Sequence, residues 1–496
     1  MAKKPRSQRR KKGKSLGDQD GDGDSDAGAA DFLPEDHTVA DSSVNSGSAV
    51  MDEDFSDFDD VVAGQPSDDY LLLHGANGPH SSDAAVAAVQ ARLVKLRDTL
   101  ANLNELPAEK RSVKREAVLK QTFRAITQYA TGPVGQETVL EQQDAIFKAA
   151  WYSIRSGQPA EQYAACRVLE SASVVMGANQ DDWCEQLDRP CRLVLKTVSR
   201  AVPVRCAALR TLAMTTFISS ADLEMTEAVL DLCQQVASGD YRNEETPVAL
   251  RGTALDCWAL LATTVPDFRL AGQDDVQMGR GIQILALLKN CLDTTNANLR
   301  SAAGECFALI HEARLNLGIA QEEAENSTAR RFRRGSWDGS EWEVLMDEVK
   351  QRIAELSVES GKHLSKKAKK QQRATFREFM GTIVEDEAPE EVINFRNGNL
   401  TLKSWREIIQ LNFVRHCLQG GFQVQLTTNE TLQIIFGADG QSLNDFGGMS
   451  QIEKRLLLSK TSEAAKNKDV KLTKQRDKRQ NIKNDFLTAD GEDMYG

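Results

Sequence analysis

The 496-residue chain contains no apolar run near the roughly 18 residues that span a bilayer. Its first residues, MAKKPRSQRRKKGK, have no apolar stretch behind the charges, so they do not read as a secretory signal. The nine cysteines are odd in number and include no Cys-x-x-Cys pair. Cys166, Cys206, Cys257 and Cys306 have apolar neighbours, which fits reduced core residues of an intracellular protein. Aromatics make up 6% of the chain and prolines number only 12, as in a helical protein. The six histidines are scattered, three before residue 82 and the others at 311, 363 and 416, on separate predicted helices. No Gly-rich phosphate loop, paired-His metal motif or Ser-His-Asp set appears. The expectation is therefore a protein without catalytic residues, metal ligands, cofactors or a small-molecule substrate. The run Asp18-Gln-Asp20-Gly-Asp22-Gly-Asp24 opens like a calcium loop, but its twelfth position is Ala29 and flanking helices are missing, so calcium is dismissed.

One absence is local. Residues 15–70 hold seventeen Asp or Glu and no Lys or Arg, whereas residues 1–14 hold eight Lys or Arg and no acid. The net charge of −12 hides this segregation, so the blocks say more about partners than the total. Residues 1–81 have few aliphatics and no periodicity, and are expected to form a disordered arm. Its basic block suits nuclear import, a nucleic-acid patch or a plain solvated tail. Ser56, in DFSDFDD, is a candidate phosphorylation site in an acidic setting.

What is present from Ser82 onward is a repeat. Arg300 opens Arg-x-Ala-Ala-x-x-x-Phe-Ala, Arg205 opens Arg-x-Ala-Ala-x-x-x-Leu-Ala, and Arg251 opens Arg-x-Thr-Ala-x-x-x-Trp-Ala. Gln162 opens a related copy, and Arg115 a looser one. In the copy from Leu299 to Arg314, apolar residues recur every three or four positions, the mark of a helix face. The starts lie 47, 43, 46 and 49 residues apart. Helical solenoids of the armadillo and HEAT type repeat at about 40–47 residues. Such a helix cannot bury its face alone, so neighbours must stack. The fold class expected is all-α: an α-solenoid over 82–358, with Ala165, Ala208, Ala254 and Ala303 at equivalent buried positions. Pro107 is expected in the first turn of a second helix carrying Val113, Leu119, Phe123 and Ile126. An exposed loop is expected near 324–341, where Ser336 follows Arg333-Arg334-Gly335 as a candidate basophilic-kinase site. A helix follows over 341–358, with Val344, Leu345, Val349, Ile353 and Leu356 on one side.

The composition then turns basic. GKHLSKKAKKQQRATFREFM (361–380) carries Lys362, Lys366, Lys367, Lys369, Lys370, Arg373 and Arg377 against one acid, and has no helix breaker after Gly361. Asn397-Gly398, between apolar pairs, predicts a β-hairpin over 391–402, and a helix follows from Ser404 to Leu418. Residues 361–450 are read as a basic helix plus a small C-terminal domain, and 451–496 as a basic helical tail. From 452 to 483 the tail has eleven Lys or Arg and four acids. Clustered cations on helices suit phosphate backbones, and few aromatics accompany them, so contact with structured RNA or DNA is expected rather than base reading.

The residues Ala302-Ala-Gly-Glu305, Ala308-Leu309 and Ala313-Arg314 resemble the interferon-related developmental regulator family. A more specific match runs through 361–377, Ile393-Asn-Phe395, Trp405, LTTNETL (426–432), Ile435-Phe436 and Arg476-Asp-Lys-Arg479. The resemblance covers nearly all of the expected folded part, and nothing carries over to residues 1–81. It implies a non-enzymatic regulator with an armadillo-like domain. It implies association with non-translating ribosomes, whose tRNA and mRNA path the C-terminal part occupies, repressing translation. The implied contacts to ribosomal RNA are Lys366, Lys367, Lys369, Lys370 and Arg373, with Lys471, Lys474, Arg476, Lys478 and Arg479. The alternative it implies is a transcriptional co-regulator, a scaffold for deacetylase-containing complexes with protein partners on the solenoid surface. A cytoplasmic location is expected, with the nucleus as a further compartment, and no membrane.

Overall fold

The computed structural model describes residues 82–241, 244–272, 279–326, 340–358, 366–395 and 398–436. Helices come in pairs. Helix α1 (Ser82–Ala101) and a 3-10 turn over Asn102–Ala108 precede α2 (Ser112–Tyr129). After a short α3 (Gly132–Glu141), α4 (Gln143–Ser156) pairs with α5 (Pro159–Met176), and α6 (Asp181–Lys196) with α7 (Val202–Ser219). Next, α8 (Leu223–Ala237) pairs with α9 (Val248–Ala262). Past the five-residue α10 (Asp267–Ala271), α11 (Arg280–Leu292) pairs with α12 (Ala297–Asn326), and α13 (Ser340–Val358) with α14 (Lys366–Glu385). The second helix of each pair packs on the second helix of the next, so α2, α5, α7, α9, α12 and α14 form one inner stack. The architecture is an all-α solenoid of HEAT or armadillo type.

The repeat explains the stack. Ala165, Ala208, Ala254 and Ala303 fall on consecutive inner helices and are fully buried, where a methyl group allows close helix approach. The opening residue of each copy has a second role. Carbonyls in a helix's last turn lack intrahelical partners. Arg115 Nη1 donates to Glu109 O (2.8 Å), just past the 3-10 turn, and Gln162 Nε2 to Gly157 O (2.7 Å), just past α4. Arg205 Nε donates to Leu195 O at the end of α6 (3.1 Å), and Arg251 Nε to Ala237 O at the end of α8 (2.9 Å). In these four copies the opening side chain thus ties the end of the preceding element to the start of the inner helix.

The structure corrects several local expectations. Pro107 lies inside the 3-10 turn, and the second helix starts only at Ser112, leaving Val113 78% exposed. The expected all-helical block contains a two-residue antiparallel ladder, β1 (Asp240–Tyr241) with β2 (Glu244–Glu245), which closes the turn between α8 and α9 without adding a layer. Val344 is exposed, while Val349, Ile353 and Leu356 are buried. The predicted hairpin is β3 (Glu391–Phe395) with β4 (Gly398–Leu402), whose closing pair, Phe395 with Gly398, puts the turn one residue earlier. The tail 451–496 and the arm 1–81 lie outside the described residues.

The segment after the hairpin returns to the inner stack. It comprises α15 (Trp405–Leu418), a 3-10 turn (Gln419–Gly421), α16 (Phe422–Thr428) and α17 (Glu430–Ile435). Helix α15 packs on α12, α9 and α5, and the 3-10 turn and α16 pack on α2, so the chain runs back over the inner stack. The boundary expected at 358–361 falls between the two helices of the last pair, and residues 376–436 share one hydrophobic core with the solenoid. Helix α15 is apolar around most of its circumference, the pattern of a helix buried on all sides. Side chains of this segment also cap inner helices. Gln425 Nε2 donates to Thr127 O and Ala130 O at the end of α2 (3.0 Å each), and Asn429 Nδ2 to Val174 O near the end of α5 (3.0 Å). Arg406 donates to Thr263 O and Val265 O just past α9.

Replacing Arg251 with Met keeps much of the stem but leaves the Ala237 carbonyl without its donor. An unsatisfied buried acceptor costs about 1–3 kcal/mol. The expected result is a lower urea midpoint with an unchanged slope; an unchanged midpoint would show that the cap contributes nothing.

Candidate nucleic-acid interface

Helix α14 holds the described part of the basic cluster. Along it, Lys366, Lys369, Lys370, Arg373 and Arg377 recur at spacings of three and four, so these positions share one helix face. Phe376, Phe379 and Ile383 fall on another face and are fully buried, whereas Arg377 is exposed. Lys362 lies outside the described residues, as do Lys471, Lys474, Arg476, Lys478 and Arg479, and the two candidate phosphorylation sites Ser56 and Ser336. The structure therefore brings Lys366, Lys367, Lys369, Lys370, Arg373 and Arg377 onto one helix.

That helix is fixed at its far half. Phe376 meets Phe379 edge to face at 5.4 Å, and Phe379 meets Trp405 at 5.4 Å. Trp405 Nε1 donates to Thr382 Oγ1 (2.8 Å), so α15 is stitched to α14 by a polar bond as well. Gly304 of α12 makes this packing possible, because a Cβ there would come within 2.4 Å of the Phe379 ring. The basic turns continue the same helix.

Beneath α15 the inner helices carry a row of charges. Counting five residues on from each repeat start gives Lys120, Arg167, Arg210, Asp256 and Glu305. All but Lys120 are buried. The row is basic on α2, α5 and α7 and acidic on α9 and α12. Helix α15 lies over it with its ends placed to match. Its first amides, on Trp405 and Arg406, donate to the two carboxylate oxygens of Glu312 (3.1 and 3.2 Å). Its last carbonyls, on His416 and Cys417, accept from Arg167 Nη2 (2.6 and 3.2 Å). A helix has a positive N-terminus and a negative C-terminus, so both contacts are favourable, each by up to ~2 kcal/mol when partly buried. Ser404 caps the helix by accepting from the Glu407 amide (3.2 Å), and Glu407 reaches back to the Lys403 amide (3.0 Å).

Arg167 is the most heavily used of these charges. It also pairs with Glu170 (2.7 Å) and lies over the Phe123 ring at 5.3 Å. Burial, with Arg210 and Arg167 nearby, holds His416 well below the usual imidazole range, so its ring is neutral beside the guanidinium. The acidic half is less well compensated. Burial pushes Asp256 up to about 7, with Arg210 pulling the other way. Burial raises Glu305 well above its ordinary value, and neighbouring Asp256 and Glu378 add to this. Neither Asp256 oxygen has a hydrogen-bond partner among the described residues.

Sequence reasoning placed the basic helix but missed Arg167, Arg210, Asp256, Glu305 and Glu312. A signal existed: a charged side chain at the same offset in every copy of an otherwise apolar repeat. All nine cysteines are buried and unpaired, and burial pushes Cys166 and Cys184 up to about 12. Among the described residues no group of three or more His, Cys, Asp or Glu side chains could hold a metal ion. No helix there is long and apolar enough to cross a membrane.

The Asp256 shift sets a pH dependence. Its folded value of about 7 exceeds the ordinary 3.8, so the folded state holds a proton that the unfolded chain releases. Its stabilising contribution is complete below about pH 4 and is lost as pH rises through about 7. Asp256→Asn removes this term. In urea unfolding at pH 5 and pH 8, the variant is expected to gain stability over the parent chiefly at pH 8. An equal difference at both pH values would contradict the assignment.

Residues 63–384 match the family described as Interferon-related developmental regulator. Among curated proteins, mouse interferon-related developmental regulator 1 is 23% identical over 349 residues, covering 68% of this chain and 70% of the relative. The human protein of that name is 22% identical over the same length and coverage. Mouse interferon-related developmental regulator 2 is 25% identical over 348 residues, covering 66% and 71%. Among solved structures, Kap121p bound to Pho4p aligns with 81% of this chain but only 41% of its own length, at 13% identity and a TM-score of 0.34. With the family match covering more than half of its length, the chain belongs to the interferon-related developmental regulator family.

Proposed function

We propose that this protein is a non-enzymatic regulator that binds the ribosome through phosphate contacts of its C-terminal basic segments and represses translation on non-translating ribosomes. The observation that carries the reading is the design of α14. One half of the helix is locked between α12 and α15 by Phe376, Phe379 and Trp405, and the other half carries cations along one face. A rigid cationic helix can follow an RNA backbone with little loss of side-chain or segmental freedom on binding. Structured RNA, with its dense and regular phosphates, is the partner such an array suits. The tail cations Lys471, Lys474, Arg476, Lys478 and Arg479 are proposed as a second contact on the strength of the family resemblance. The proposed location is cytoplasmic, with a nuclear pool as a further possibility. The alternative, a co-regulator scaffold for deacetylase-containing complexes, would have to use the outer helices, since α15 covers the inner ones.

The test is ribosome co-sedimentation of the full chain. Changing Lys366, Lys367, Lys369 and Lys370 to Glu is expected to abolish association while helical circular dichroism and thermal midpoint are retained. For the parent protein, neutralising about six phosphates should make binding fall by several powers of ten per tenfold rise in salt. A folded Glu variant that still co-sediments would overturn the reading and favour the scaffold alternative.

A further inference from the structure

The turns joining outer to inner helices lie side by side along one edge of the solenoid. Contacts link the first three in order, and the fourth to the fifth. Ser112 and Arg115, at the first turn, bond Glu161 at the second (2.7 and 2.8 Å). Arg200, at the third, donates to Ile154 O near the second (2.6 Å). Arg251, at the fourth, reaches Cys291 near the fifth (3.6 Å). Charge divides along this edge. The first three turns expose Lys110, Arg111, Lys114, Arg155 and Lys196, and the one acid among residues 109–114, 155–160 and 196–200 that is not buried is Glu109, paired with Lys114. Among the described side chains of the next two turns, the exposed charged ones are Asp240, Glu245 and Asp293, the last paired with Arg352 (3.1 Å). The cationic stretch also exposes Val113 (78%), Val198 (51%) and Tyr152 (36%), and the Arg115 guanidinium lies over the Tyr152 ring, 5.9 Å from its centroid.

We propose that this edge of the first three helix pairs is a second RNA-binding surface, separate from the basic C-terminal helices. Neighbouring helices pack about 8–10 Å apart, so three successive turns set out cations over roughly 20 Å. The turns are held by buried bonds, Arg115 to Glu161 above all, so the array is fixed before it meets a partner. A rigid array suits a rigid duplex backbone, whereas an acidic peptide must lose conformational entropy residue by residue to follow it. Tyr152 adds a surface on which an unpaired base can stack, a feature that an acidic peptide does not use. The surface does not depend on the ribosome reading, because none of its residues belongs to α14 or the tail.

The test measures affinity of the full-length protein for a labelled 20-base-pair RNA hairpin across a potassium chloride series. The variant Lys110→Gln, Lys114→Gln, Arg155→Gln and Lys196→Gln leaves Arg115, Glu161 and Arg200 untouched, so its thermal midpoint should not move. Each lost phosphate contact lowers the salt slope by about 0.7–0.9, so the slope should fall by about 3 and affinity at low salt by tenfold or more. The charge-preserving set Lys110→Arg, Lys114→Arg, Arg155→Lys and Lys196→Arg should bind like the parent. The same Gln loss should appear in a background in which Lys366, Lys367, Lys369 and Lys370 are Ala, which separates this surface from the C-terminal one. Parent-like affinity and slope in the Gln variant would overturn the proposal. So would a polyglutamate peptide that binds the parent as tightly as the hairpin does and is lost in the same variant, since the surface would then be one for acidic polypeptides.

Discussion

Helix α15 is held across the inner stack by its two ends, with Glu312 receiving its first amides and Arg167 meeting its last carbonyls. Both charged groups come from the repeat helices, and both are placed where a helix dipole needs them. A solenoid whose inner helices carried only apolar side chains could hold a helix there in either direction. The placement of Glu312 and Arg167 removes that ambiguity, because reversing α15 would set its carbonyl end against Glu312 and its amide end over the Arg167 guanidinium. Both end contacts form in only one direction of α15, so the inner helices and α15 specify one another.

The consequence reaches the outer parts of the molecule. Inner helices of a solenoid ordinarily keep one face to solvent, yet α5, α7 and α9 are buried around most of their surface. The fourth side is supplied by α15 and α16. The same segment closes the ends of α2, α5 and α9 through Gln425, Asn429 and Arg406. Opposite them, the opening residues of the repeats close the outer helices. Helix ends on both edges of the stack are thereby capped by side chains. Helix α14 stands at the end of this arrangement, clamped between α12 and Trp405, which gives its cationic half a fixed direction.

The repeat was legible because it is local. Arg205, Arg251 and Arg300 recur with their alanines, and helical periodicity needs only a short window. The hairpin was legible for the same reason, through Asn397-Gly398. The path of α15 was not. The decisive bonds of α15 and the following α16 join residues 249 apart (Arg167 with His416) and 298 apart (Gln425 with Thr127), and no local pattern encodes such a pairing. Two hints were available: WREIIQLNFVRHCL is apolar on more than one face, and a charge recurs inside each apolar repeat. The basic helix was legible as composition, but its rigidity was not, since that depends on Gly304 leaving room for Phe379. The 3-10 turn at Pro107 was misjudged because a proline suits either a helix start or a tight turn, and burial of Leu103 and Leu106 decided for the turn.

The account makes α15 an integral strut of the solenoid rather than an appended domain. Amide hydrogen exchange of the full-length protein tests this most directly, by comparing residues 405–418 with the inner helix 202–219. If α15 is the strut described, its amides exchange only with global opening, at the same free energy as those of α7 and with the same denaturant dependence. Exchange of 405–418 at markedly lower free energy, while 202–219 stays protected, would mean that the stack stands without it and would contradict the account.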